Sequence, residues 1–353
     1  VRKSFVFDLI YSTLKKDFSM KKMLLTAAAL AAAGLVLSVA VQAQVSMPEA
    51  QVNALENLAG KQATFRRAQA KGVCASGHFV GNTVARNLSS ATVFSGEKVP
   101  VIARFSVGGT SPKANDKARS VRGMALQLTP SKGDIWMTAN ISAPIYFVSK
   151  AEHFVPFLQV RTPDPVTGKP DAAKLKAFSD ANPDTLRQGA YLAKAPIPAS
   201  YGQVGYWGVN AFELINAKKE SQFVRWQFVP DAGTLGLTEE QLKTMPDDFL
   251  ADDLRKRVAL APVSFAFKLQ LADASDQLVD PTLQWPDSRP VLTAGTLVVD
   301  KVEPGLDGAC KNLTFNPLAL PSGIVASADP VLLARPAPYG VSLGRRLSEA
   351  AAK

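Results

Sequence analysis

The run Gly323-Ile324-Val325-Ala326-Ser327-Ala328-Asp329-Pro330-Val331-Leu332-Leu333-Ala334-Arg335, followed by Pro336-Ala337-Pro338-Tyr339, carries the reading of this chain. Asp329 is an N-cap candidate and Pro330 sits at the first helical position. The spacing predicts a helix over 329–346, kinked or interrupted by Pro336 and Pro338. Arg335 and Tyr339 stand at i and i+4, so on a helix they share a face. A guanidinium beside a phenol favours the phenolate. An anionic phenolate oxygen is a donor suited to a ferric centre. By itself an Arg-x-x-x-Tyr pair on a helix is usually packing and an ordinary hydrogen bond.

Upstream of this tail the pattern is strand-like. Short apolar runs at 73–80, 99–107 and 124–128 are bounded by Gly, Pro, Asn or Ser. Similar runs return at 204–212, 223–228, 263–271 and 295–302. Regular short strands with turn punctuation predict an antiparallel barrel or sandwich. Residues 44–71 read as a polar arm with helical character, and 164–198 as helical and proline-marked. No internal repeat is present.

The composition removes several classes. The 353 residues are 47% hydrophobic and 20% charged, which excludes disorder. Two cysteines exclude a disulfide scaffold. Two histidines, His78 and His153, are too few for a His-rich metal site. Met20-Lys21-Lys22-Met23, the apolar run 24–41 and Val41-Gln42-Ala43 form a signal-peptide pattern. The alternative is a permanent membrane anchor, against which Gly34 and Ser38 interrupt the run. Residues 1–43 are therefore read as an upstream extension plus leader, and 44–353 as a single folded domain exported to the periplasm. The leader carries four of the ten net positive charges, which leaves +6 on the mature chain. Those charges are interleaved with acids, so no nucleic-acid stripe appears. In an oxidising compartment Cys74 and Cys310 either pair or remain two buried small hydrophobes.

No nucleophile or phosphate motif stands in its working context. The one G-x-S-x-G match, Gly340-Val341-Ser342-Leu343-Gly344, falls inside the helix read over 329–346 and not at a strand-to-helix turn, and Gly108-Gly109-Thr110 lacks the GK[ST] ending. Asp252-Asp253 and Glu239-Glu240 read as solvated faces. The Arg335–Tyr339 segment, however, resembles the proximal haem segment of the haem catalases, and in length the chain is similar to the small exported catalase-related peroxidases. Other stretches agree in order. Arg104-Phe105-Ser106 resembles the family's R-F-S strand. Arg119 with Val121-Arg122-Gly123-Met124-Ala125 resembles its R-x-x-R-G-x-A turn. Pro144-Ile145-Tyr146-Phe147, with Phe154 and Phe157 beyond, resembles its P-x-F-F segment. Phe315-Asn316-Pro317 and Pro321 resemble the stretch before the proximal helix. The likeness runs from about Phe65 to Arg346.

That resemblance implies an α+β fold: an antiparallel eight-stranded β-barrel surrounded by helices. It implies haem b (iron protoporphyrin IX), with Tyr339 as the iron ligand and Arg335 as its charge partner. Arg66, Arg104 and Arg346 would hold the propionates. Phe154 would lie over the distal face. The distal side departs from the family: Gln69 stands at the histidine position of Arg66-Arg67-Ala68-Gln69-Ala70-Lys71-Gly72. A carboxamide can donate and accept hydrogen bonds but cannot carry the proton that peroxide cleavage moves. Ser106 matches the serine that supports the missing histidine. Ile141 falls where the family has its peroxide-orienting Asn, with Asn140 one position away as a candidate. His78 and His153 are weaker substitutes for the missing imidazole.

The expected function is thus a haem peroxidase. It would use hydrogen peroxide and a small organic electron donor, with weak or no catalase activity. The alternatives are a non-catalytic haem-binding protein of the same fold and, more remotely, a barrel binding an apolar ligand without haem. A monomer or small homo-oligomer, without nucleic acid and without stable membrane association after leader cleavage, completes the expectation.

Overall fold

The computed structural model describes residues 45–304 and 308–352; the leader reading lies outside them. Nine strands form one sheet. They are β1 (Gly72–Gly81), β2 (Val99–Val107), β3 (Arg122–Leu128), β4 (Trp136–Ile141), β5 (Tyr206–Ile215), β6 (Ser221–Pro230), β7 (Val263–Leu271), β8 (Val291–Val302) and β9 (Ile324–Ala326). From β1 to β8 each strand pairs antiparallel with the next, and β8 pairs back onto β1. Eight strands therefore close into a barrel, as the resemblance implied. The β4–β5 seam is a single pair, Ile141 with Trp207. Further along β5, β9 pairs with Phe212–Leu214.

Alternation along the strands decides where a ligand can sit. On β2 the residues Val99, Val101, Ala103, Phe105 and Val107 join the core. Arg104 and Ser106 therefore point out of the barrel. The interior is filled with aromatic rings. Ring centroids lie 5.5 Å apart for Phe79–Phe267, 5.3 Å for Trp136–Trp226 and 5.0 Å for Phe228–Phe267. Each such ring stabilises by roughly 1.5–3 kcal/mol through burial. The lumen is packed core, so the site has to lie on the outer wall.

That wall carries a row of cross-strand partners. Gly72 faces Ser106, Ser106 faces Gly123, and Gly123 faces Ile141. Partners in register share a face. Helix Met47–Ala59 packs against both Phe154–Gln159 and Pro336–Ala351. No helix among the described residues is long and apolar enough to cross a membrane.

Two expectations are refined. The tail is two helices, Pro330–Ala334 and Pro336–Ala351, broken at Arg335, with Pro336 opening the second. Strand β4 was not foreseen. Its inward positions Thr138 and Asn140 are polar, which hides the alternation. Cys74 and Cys310 do form a disulfide, with Cα atoms 5.5 Å apart. A bridge closing so long a loop is typically worth about 2–4 kcal/mol.

Candidate active site

The helical side of the site is built on Tyr339. Arg335 Nε donates to its phenolic oxygen over 3.0 Å. Arg335 Nη1 donates to Asn210 Oδ1 over 3.1 Å, and Asn210 Nδ2 donates to Asp329 Oδ2 over 2.7 Å. The other oxygen of Asp329 accepts from Val331 N–H at 2.8 Å, so the N-cap predicted from sequence also anchors this chain. Burial pushes the Asp329 carboxyl up, against the hydrogen bond from Asn210. Burial alone would lower the Arg335 guanidinium, but the charges of Tyr339, Tyr146 and Asp329 raise it. The phenolic oxygen is thus the acceptor at the end of a hydrogen-bonded chain that starts at a buried carboxyl. Asn210, an isolated asparagine within strand β5, carried no sequence signal for this role.

Above the barrel wall, Gln69 adopts a left-handed backbone with φ +51°. Such a conformation costs about 1–3 kcal/mol in a non-glycine residue and needs outside support. Arg104 Nη2 supplies it by donating to the carbonyls of Gln69 (2.9 Å) and Ala70 (3.1 Å). Ser106 Oγ donates to Gln69 Oε1 over 2.5 Å. A Cβ at Gly123 would lie 2.1 Å from that same oxygen, so the amide fits only because residue 123 is glycine. Among the described residues, Gln69 Nε2 has no hydrogen-bond acceptor. The acceptor end of the amide is thus committed and the donor end is available.

Asn140 is not part of this group. Its Nδ2 donates to Met124 O at 2.9 Å and Thr138 Oγ1 at 2.8 Å, and its Oδ1 accepts from Trp226 Nε1 at 2.8 Å. It is buried among the core residues, on the strand face opposite Ile141. The candidate role at the distal side is corrected accordingly: Ile141, the partner of Gly123, stands on the site face. The histidines are also elsewhere. His78 lies six residues along β1 from Gly72, about 20 Å away at strand rise, with Nδ1 3.5 Å from Asp300. His153 sets its ring against Phe178, centroids 6.4 Å apart.

A third group closes one end. Arg66 Nη2 donates to Cys310 O (2.9 Å) and Leu313 O (2.7 Å). Arg346 Nη1 donates to Lys311 O (2.9 Å). Among the described residues, none of Arg66, Arg104 and Arg346 forms an ion pair with a carboxylate. Burial together with the charges of Arg104 and Arg346 brings Arg66 down to about 9. Burial brings Arg104 down to about 10, with Arg346 repelling it as well. Arg346 Nε is buried without a partner. Arg104 and Arg346 are buried and Arg66 is half-buried; three mutually repelling guanidinium groups with spare donors call for an anion, and the geometry suits carboxylates.

Aromatic residues form a further side. Phe147 lies 4.3 Å from Tyr146, 5.6 Å from Phe154 and 4.7 Å from Phe157, centroid to centroid. Burial raises the Tyr146 phenol, with Arg335 opposing and Tyr339 adding to the shift. Tyr146 and Arg335 are both half-buried.

A flat, apolar, doubly anionic macrocycle carrying a ferric ion would find an oxygen donor in Tyr339, cations for two carboxylates in Arg66, Arg104 and Arg346, and apolar neighbours in Phe154 and Tyr146. Among the described residues no cluster of His, Cys, Asp and Glu could hold a bare metal ion.

Comparison with known proteins agrees. Residues 46–352 match the family model described as Catalase. A catalase-related peroxidase from Synechococcus elongatus is 37% identical over 299 residues, covering 85% of this chain and 88% of that one. One from Mycolicibacterium paratuberculosis is 32% identical, covering 85% and 94%. In fold, the chain is similar to a fungal catalase (TM-score 0.74, 23% identity) and to catalase A from Saccharomyces cerevisiae (0.73, 23%). It covers 60% and 62% of those two chains, and they cover 81% of this one. With the matched model spanning nearly all described residues, the chain belongs to the catalase family, among the catalase-related peroxidases.

Proposed function

We propose that this chain is a haem peroxidase that reduces hydrogen peroxide with electrons from a small organic donor and has weak or no catalase activity. The observation that carries the reading is the 3.0 Å Arg335–Tyr339 hydrogen bond set beside the arginine trio. Haem b is the proposed cofactor, and it supplies the two-electron redox chemistry toward peroxide. One peroxide and two donor molecules give two waters and two one-electron-oxidised donors, with each donor releasing one electron and one proton.

The chain's own residues do the rest. Tyr339 oxygen would hold the metal, and Arg335 fixes that oxygen by a hydrogen bond. Arg66, Arg104 and Arg346 fix the propionates. Gln69 Nε2 donates a hydrogen bond to an oxygen on the barrel side. Its Oε1, occupied by Ser106, cannot take up a proton. Proton movement there falls to water, which is the physical reason for slow disproportionation. Phe154 and Tyr146 keep the space apolar.

Export to the periplasm is supported by the leader pattern and by the Cys74–Cys310 bond, which persists in oxidising compartments. The proposed assembly is a monomer or small homo-oligomer. The test is the absorption spectrum of protein produced with haem, followed by peroxide and a phenol. A tyrosinate-ligated ferric spectrum, phenol oxidation and little oxygen release are expected. Holoprotein that leaves the phenol untouched would favour a non-catalytic haem-binding protein, a reading to which Gln69 and Ile141 lend weight.

A further inference from the structure

The Cys74–Cys310 bond joins segments 236 residues apart. Cys74 is the cross-strand partner of Arg104 on the outer wall. Cys310 belongs to the segment whose carbonyls hold the other two arginines. Arg66 donates to the oxygens of Cys310 and Leu313, and Arg346 donates to that of Lys311. One covalent bond therefore stands within a residue or a hydrogen bond of all three guanidinium groups.

Residues 308–316 contain no helix or strand, and their carbonyls at 310, 311 and 313 accept from Arg66 and Arg346. Their apolar contacts are a small cluster of Cys74, Cys310 and Phe315, with Ile102, Ala125 and Leu313 packed on it. Arg66 lies over the Phe315 ring, 5.8 Å from its centroid. The carbonyls must also hold cations that repel one another. Released from β1, the segment would be free to let those cations separate toward water.

We propose that the Cys74–Cys310 disulfide is the positioning element of the anion-binding end, so that retention of the cofactor depends on its oxidation. This rests on the haem reading above. A dithiol reductant passes two electrons and two protons to the bond. Two cysteine thiols form, and the reductant closes to its own cyclic disulfide. The hydrogen-bonded chain behind Tyr339 includes none of the residues that the disulfide joins. An oxidising compartment completes the site, and a reducing one leaves it loose.

The test follows haem transfer from holoprotein to excess apomyoglobin. Parent protein, the C74S/C310S double variant and dithiothreitol-treated parent are compared, with far-UV circular dichroism to check the fold. Reduction of already folded parent keeps the question answerable should the variant fold poorly. Breaking the bond is expected to speed haem loss at least about tenfold, with the tyrosinate absorption bands unmoved while haem is bound. A purely structural staple would not predict the second readout. In an Arg66→Ala background the same reduction should change the rate by less than about threefold, because the bond acts through the arginines. Equal rates in both redox states, or full additivity with Arg66→Ala, would overturn the inference. Oxidised protein that binds no haem would overturn the haem reading with it, whereas equal binding in both states sinks this inference alone.

Discussion

Tyr339, on the helical side, ends a hydrogen-bonded chain that runs through Arg335 and Asn210 to the buried Asp329. Gln69, on the barrel side, is held by one hydroxyl and by carbonyl bonds that brace a left-handed turn. One side offers a phenolic oxygen that accepts from a fixed guanidinium. The other offers a neutral amide with its acceptor already engaged. Holding a cofactor needs charges that the fold can lock in place. Moving a proton needs a group whose protonation changes during turnover. The two demands are separable, and this chain is equipped for the first far better than for the second.

The widest break in that comparison would come from Tyr339→Phe. The ring and its packing stay, and the metal-binding oxygen goes. Haem affinity should fall by about a hundredfold or more, since even partners one shell out are worth 10–100-fold. Titration of apoprotein with haem reads it. Unchanged binding would mean that the helical side is not the holding side. Next, Gln69→His restores a group that can carry a proton beside Ser106. Peroxide-driven phenol oxidation should rise at least about tenfold. Stopped-flow rates measure it. No gain would place the deficit at Ile141 instead, where a side chain that could orient peroxide is missing.

Much of this was legible in the sequence, for identifiable reasons. Seven of the eight barrel strands announce themselves because their inward positions are apolar. Strand β4 does not, since Thr138 and Asn140 face inward and satisfy each other, Met124 O and Trp226. Asn140 is a site candidate by sequence because it stands one position from Ile141, and a one-residue step along a strand reverses the face. Arg335 and Tyr339 are four residues apart, so local spacing brings them together. Asn210, 125 residues from Arg335, is placed by tertiary structure alone. The arginine trio is similar. Arg66, Arg104 and Arg346 are ordinary basic residues until folding leaves them, among the described residues, without a carboxylate partner. The disulfide was open for the same reason, because sequence separation says nothing about Cα distance.

The two sides are also tied to each other, and that tie gives the smallest and most pH-sensitive effect. Arg67 stands two residues before Gln69 and is 2% exposed. It donates to Glu56 at 2.6 Å and to Glu349 at 2.5 Å. Glu349 lies on the helix that carries Tyr339 and also accepts from Thr64 N–H at 2.7 Å. Burial alone would raise the Glu349 carboxyl, but the bonds from Arg67, Thr64 and Lys61 outweigh it and bring it down to about 2. The ordinary value is 4.5. Above that value the carboxylate is ionised whether the chain is folded or not, and its full contribution to stability is present. As pH falls from 4.5 toward 2 the unfolded chain takes up the proton first, so the contribution is lost. Glu349→Gln should therefore cost about 1–2 kcal/mol near neutral pH, and less and less below about pH 4. Urea midpoints of parent and variant across that range read the difference. A gap that stayed constant with pH would mean that the tie between the two sides is packing and not charge.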